Sequence, residues 1–157
     1  MLPLVGIPKT TKKFLKQYRK VFRKEAGFQH ISRYINGLLM SPNKTLQGIY
    51  SQLVVDEKKR VSRRAMHEAV FEAGWKQENL MEQHRKVLSS AHRGKGREVI
   101  ALDWTFSYHP HSEKIYAAKE GYDYVNRSWS CYQTVVTASI SNGKRVDGIA
   151  VEVQNPK

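Results

Sequence analysis

The stretch Arg97-Glu98-Val99-Ile100-Ala101-Leu102-Asp103-Trp104 runs four apolar residues into an aspartate. Val99 to Leu102 read as a short central strand, and a carboxylate at its end is costly unless something pairs with it. Read alone, Asp103 is a strand-end cap or the ion-pair partner of a nearby arginine. A second chemistry is cationic. Lys12, Lys16, Arg19 and Arg23 recur at steps of 4, 3 and 4, which places them on one face of a helix. That face holds no acid before Glu25, so its self-repulsion is unrelieved and it suits phosphate contacts. Lys58, Lys59, Arg60, Arg63 and Arg64 cluster where another helix should begin. A helix N-terminus favours phosphate, and arginines there reach base edges.

Other reactive residue types carry less. His109 and His111 flank Pro110 at a spacing that two metal-binding imidazoles could use, but no cysteine or third histidine lies near, so they read as loop residues. His84 falls beside an apolar helix face and reads as packed core. Cys131 has no basic activator within its strand and reads as a packed thiol. Gly94 and Gly96 flank Lys95 without a following Gly-Lys-Ser/Thr, so they form a linker and no phosphate loop. Eight aromatics between Trp104 and Tyr132 read mostly as sheet core, with one or two placed to stack on unpaired bases.

The 157 residues are long enough for one domain, or for a small domain and part of another. Residues 1–97 hold 21 Lys/Arg against 7 Asp/Glu, a formal +14, and residues 98–157 hold 6 against 7, a formal −1. All the excess charge precedes the Asp103 strand, which points to a polyanion-binding front end joined to a neutral globular piece. No apolar run has spanning length, and the opening Met-Leu-Pro-Leu-Val-Gly-Ile-Pro lacks the basic start of a signal peptide. A single cysteine fits a reducing compartment. Nucleic acid in a cytoplasm is the expected partner, and a membrane is not.

Periodicity then supplies the elements. Residues 1–10 are expected to be a flexible N-terminus and 11–93 a basic helical domain, the first helix ending at Gly27. The next helix has Phe28, Ile31, Ile35, Leu38 and Leu39 as core. Ser41-Pro42 signals the start of a helix over 44–54, and Ser62 caps one over 62–73 that stops at Gly74. These two, joined by a basic linker, resemble a helix-turn-helix. Residues 94–97 read as a hinge. Beyond it the period becomes strand-like: the Asp103 strand, a short strand near Ile115 to Ala118, and a hairpin turning at Asn142-Gly143. Three or four strands without a covering helix leave one sheet face open, so residues 98–157 read as the incomplete start of a larger fold.

A basic helical domain, then Val-Ile-Ala-Leu-Asp-Trp-Thr, an irregular segment and "YDYVNRSWSCYQTVVTASISNGKRVDGIAVEVQNP", resembles the front of a bacterial insertion-sequence transposase of the DDE class. The likeness runs over about residues 11 to 157 and rests on ordered segments more than on one motif. It implies an α+β chain: an N-terminal all-helical DNA-binding domain followed by the first strands of a ribonuclease-H-like mixed sheet. It also implies that Asp103 is the first catalytic acid of an Asp-Asp-Glu set and a metal ligand. Such a set holds two Mg²⁺ or Mn²⁺ ions about 3.5–4 Å apart for DNA cleavage and strand transfer. The implied partner is double-stranded DNA, the terminal inverted repeats of a mobile element in a prokaryotic nucleoid, with assembly of several copies on it.

The second Asp and the Glu have no counterpart here. Of the acids after Asp103, Asp123, Asp147 and Glu152 are the ones to consider as substitutes, and none is assigned a catalytic role. The chain is therefore expected to bind DNA, to hold no metal firmly and to be inactive alone. The alternative is a non-enzymatic helical DNA-binding protein or regulator with a small β dimerisation module. An RNA-binding protein would fit the charge, but the glycine-aromatic signature of an RNA-recognition sheet is missing.

Overall fold

Pro8, with φ −53° and ψ 146°, sets the chain for α1 (Lys9–Lys16). In the computed structural model, which describes residues 3–54, 62–91, 97–109 and 114–155, α1 does not run on to Gly27. It gives way to a 3₁₀ turn at Arg19–Val21, and α2 (Glu25–Met40) starts afresh with Gly27 inside its first turn. Helix dipoles favour the break. α1 ends on Lys13 and Lys16 and α2 opens on Glu25, each charge at the helix end it stabilises. Arg19 clamps the corner, pairing with Glu25 and donating to the Phe22 carbonyl at 2.5 Å.

The described residues form an α+β chain of two compact units, Met1–Gln83 and His84–Lys157. In the helical unit α2 packs against α3 (Leu46–Ser51) and α4 (Arg63–His67), which continues as a π turn over Glu68–Glu72. Its core is Leu15, Tyr18, Phe22, Phe28, Ile31, Ile49, Met66 and Ala69. Phe22 sits 5.7 Å from Phe28 and 6.0 Å from Trp75, centroid to centroid. Gly37 makes the α2–α3 crossing possible: a Cβ there would lie 2.2 Å from Ile49 Cγ2. Leu38 and Leu39 are exposed, contrary to expectation, Leu39 by 66%. The last turn of α2 outruns the helices that cover its apolar stripe, and buried Ser32, Asn36 and Gly37 fill that stripe instead.

Local signals place the next helices. Thr45, not Ser41-Pro42, caps α3, its hydroxyl accepting Gly48 N–H at 3.0 Å. Ser62 caps α4 as expected, accepting Ala65 N–H at 3.0 Å. Residues 3–8, expected to be flexible, are tied down. Leu4 bridges to the 52–54 segment through Leu4 N–H to Gln52 O at 2.8 Å and Val54 N–H to Leu4 O at 3.0 Å. α5 spans Gln77–Ala91; Gln83 donates to Gln17 O at 2.7 Å in the helical unit. No helix among the described residues is long and apolar enough to cross a membrane. The expected hinge lies largely outside them, since 92–96 is not described.

In the second unit β1 (Val99–Tyr108), β2 (Lys119–Asp123), β3 (Ser128–Ser141) and β4 (Val146–Gln154) form one sheet, antiparallel in every described pairing. The long β3 is its centre. β1 lies along one edge, with Val99 opposite Ser141 and Tyr108 opposite Tyr132. β2 and β4 share the other edge end to end. The Asp103 strand is thus an edge strand, not a central one, because the long hairpin partner takes the centre. The Asn142-Gly143 turn forms as expected, Gly143 at φ +81° and Asn142 Oδ1 accepting Lys144 and Arg145 N–H. Ile115–Ala118 is a turn closed by Ala118 N–H to Ile115 O at 3.3 Å, so the intervening strand starts later, at Lys119. His84 is half-buried, its Nε2 2.7 Å from Gly148 O, and Leu88 is buried on the same stretch of α5.

Candidate nucleic-acid interface and the Asp103 face

Residues 3–54 carry ten Lys/Arg and one acid, Glu25. That acid is taken: Gln29 donates to it at 2.6 Å and Arg19 pairs with it, which together hold its carboxyl below the ordinary value. Arg19 also lies 5.7 Å over the Phe28 ring. It is therefore a corner brace, and the break after Lys16 removes the single helical face expected for Lys12, Lys16, Arg19 and Arg23. Lys12, Lys16 and Arg23 remain exposed, with no acidic partner among the described residues.

The fold instead sets Lys12 beside Arg33, which the helical spacing of the cations does not single out, in one cavity and beside Lys16 in another. Lys12, Gln29, Arg33 and Asn36 line a cavity of about 340 Å³ walled by Leu4, Ile7 and Val54. A second, of about 250 Å³, shares Ile7, Lys12 and Gln29 and adds Lys16, Ser32 and the Arg19–Glu25 pair. The helical period of Gln29, Arg33 and Asn36 on α2 was legible, but their facing α1 was not. Burial lowers the Arg33 pKa, and burial together with the Arg33 charge lowers that of His30.

Arg63 and Arg64 begin α4, and both are exposed. Arg64 reaches Glu68 Oε1 at 2.7 Å one turn on, whereas Arg63 has no acidic partner among the described residues. Lys58, Lys59 and Arg60 lie outside the described residues, as does the linker of the expected helix-turn-helix.

Asp103 stands opposite Thr137, exposed, with the Thr105 hydroxyl 3.5 Å from Oδ2. Alternation along the strands puts Asp103 on one face with Thr137 and Val151. Asp123 (opposite Ser128), Asp147 (opposite Ile140) and Glu152 (opposite Val136) fall on the other face, that of Trp104. Asp147 is engaged by Arg145. Asp123 is buried in a turn, accepting Val125 and Asn126 N–H and the Asn126 side chain. No cluster of three His, Cys, Asp or Glu that could hold a metal ion occurs among the described residues. Among the described residues the donor set does not fit a two-ion site.

His109 is held by structure: its Nε2 lies 3.0 Å from Gln133 Oε1 and its N–H donates to Cys131 O at 2.7 Å. His111 is outside the described residues, and Cys131 is a half-buried free thiol. Most of β1 is uncovered on both faces; Ile100, Leu102, Trp104 and Phe106 are each more than half exposed, and so is Val99 on the Asp103 side. Compared with protein-family models, curated proteins and solved structures, the chain matches none of them.

Proposed function

We propose that the protein binds duplex DNA through its helical unit, as the DNA-holding part of a DDE-transposase-type protein with a ribonuclease-H-like sheet. In that reading Asp103 would be the first carboxylate of a metal site that the described residues do not complete. One observation carries the binding reading: ten cations and one already engaged acid within residues 3–54. Lys12, Lys16 and Arg33 contact backbone phosphates, Arg23 extends that surface, and Arg63 with Arg64 serves the start of α4. Each phosphate neutralised releases condensed counterions, which drives association without reading sequence.

Asp103 alone cannot fix two ions, because its candidate companions lie on the opposite sheet face. The chain by itself is accordingly expected to bind DNA without cutting it. Incubation of the full chain with supercoiled DNA in Mg²⁺ or Mn²⁺ is expected to give no nicking, by the parent or by Asp103→Ala. Metal-dependent nicking lost in Asp103→Ala would contradict this. Binding is tested separately with a labelled duplex. Replacing Arg63 and Arg64 by Ala is expected to weaken it severalfold and replacing Lys144 to leave it unchanged; equal losses would refute a localised surface. The uncovered β1 supports a second reading, a DNA-binding regulator whose sheet is a protein interface.

A further inference from the structure

The hairpin between β2 and β3 carries an unusual tip. Tyr124, Val125 and Trp129 are 82%, 86% and 76% exposed, and Tyr122 is 40% exposed. Tyr122 and Trp129 pair across the strands. The Tyr122 ring lies 5.1 Å from Tyr124 and 6.1 Å from Trp129, edge to face in both cases. Edge-to-face packing leaves outer ring faces uncovered.

Hydrogen bonds brace this tip. The carboxylate of Asp123 accepts Val125 N–H at 2.9 Å, Asn126 N–H at 3.2 Å and Asn126 Nδ2 at 2.6 Å. Arg127 holds φ +52°, a left-handed conformation that favours glycine, and still presents an exposed guanidinium with no partner among the described residues. Within residues 122–129 Asp123 is the only acid and is buried, so the tip's own charge is the Arg127 cation, with exposed Glu120 at the tip's base opposite Cys131.

We propose that this aromatic tip is a stacking platform for unpaired DNA bases, with Arg127 holding a neighbouring phosphate. The proposal rests on the DNA-binding reading of the helical unit. Bases in a duplex already stack on their neighbours, so only unpaired ones offer free faces to rings such as Trp129 and Tyr124. Tyr122 and Trp129 share the sheet face of Asp103, by the alternation that puts Cys131, Gln133, Val135 and Thr137 together along β3. Eight residues of β3 separate Trp129 from Thr137, about 27 Å at strand rise. An unpaired strand held at the tip therefore lies on the same side of the sheet as the carboxylate, several nucleotides away.

The test uses the full chain and two labelled DNAs, a blunt duplex and the same duplex with a ten-nucleotide thymidine tail. The tailed form is expected to bind about tenfold tighter. Trp129→Ala and Tyr124→Ala should abolish that advantage and leave blunt binding intact, while Trp129→Phe keeps most of it. Arg127→Gly suits the local backbone, so it folds and should lose part of the advantage. Equal affinity of the parent for both DNAs overturns the proposal while leaving the DNA-binding reading standing; failure to bind either DNA overturns that reading too. A tail advantage that survives Trp129→Ala, with self-association or binding to phosphatidylcholine–phosphatidylserine vesicles lost instead, assigns the tip to protein or membrane and also overturns it.

Discussion

The helical unit and the sheet unit solve opposite problems. The first buries a small aromatic and aliphatic core, caps α3 and α4 with Thr45 and Ser62, and exposes cations that its own acids do not neutralise. The second is close to charge-neutral from residue 98 onward, a formal −1 over 98–157, but leaves Ile100, Leu102, Trp104 and Phe106 in solvent along an edge strand. Excess charge and uncovered apolar surface both signal a partner, of different kinds. The first asks for a polyanion, the second for something that covers a sheet.

Charge reversal should separate the units most sharply. Lys12→Glu with Lys16→Glu is expected to weaken duplex binding by about a hundredfold or more, since two phosphate contacts become repulsions. The corresponding Lys144→Glu in the sheet unit should leave it within about twofold. Fluorescence anisotropy at fixed salt checks both, and comparable losses would erase the distinction.

Packing gives the next effect. Gly37→Ala gains helix propensity but forces a methyl into buried Ile49, and the clash wins: a loss of about 1–3 kcal/mol in urea unfolding of the helical unit. An unchanged midpoint would mean that α2 and α3 do not cross so closely. Removing a cap is milder. Thr45→Ala and Ser62→Ala should each cost about 1 kcal/mol, and Thr45→Ser should restore most of the first.

The smallest effects distinguish the units by pH. Burial, then the Arg33 charge, keeps the His30 pKa below 6.5. The unfolded chain therefore takes the proton first as pH falls. The contribution is full above 6.5 and declines through the lower folded value. In the sheet unit desolvation pushes the Asp123 carboxyl up, but the Asn126 side chain and the Asn126 and Val125 N–H groups outweigh it and leave it below 3.8. Its contribution is full above 3.8 and lost as pH falls from there. Amide exchange at Ile31 and at Val136 should accordingly soften in two separate windows, with His30→Gln removing the upper one.

How much of this was legible in the sequence depends on how local each signal was. Ser62, the Asn142-Gly143 turn and the change of period after residue 97 act over a few residues, and the structure has them in place. Gly27 is the local stop signal for the first helix, but Glu25 and Arg19 settle where the chain turns, through dipole and ion-pair terms that act across the corner. Leu38 and Leu39 have the right spacing for core, yet exposure depends on what lies opposite, which spacing does not encode. Arg33 escaped notice for the same reason. Asp103 was legible as an odd residue on a strand, but its separation from Asp123, Asp147 and Glu152 needed the register of β3.

The central claim is that unpaired cations of the helical unit bind duplex DNA through phosphates. The most direct measurement is the affinity of the full chain for a blunt duplex as salt rises from about 50 to 200 mM. A plot of log K against log salt should be a steep line, its slope near −0.9 per phosphate engaged, with affinity falling by orders of magnitude over that range. In Lys12→Ala with Lys16→Ala the slope should shrink by close to two contacts. A parent affinity that barely moves with salt, or a slope unaltered by removing Lys12 and Lys16, would contradict the account.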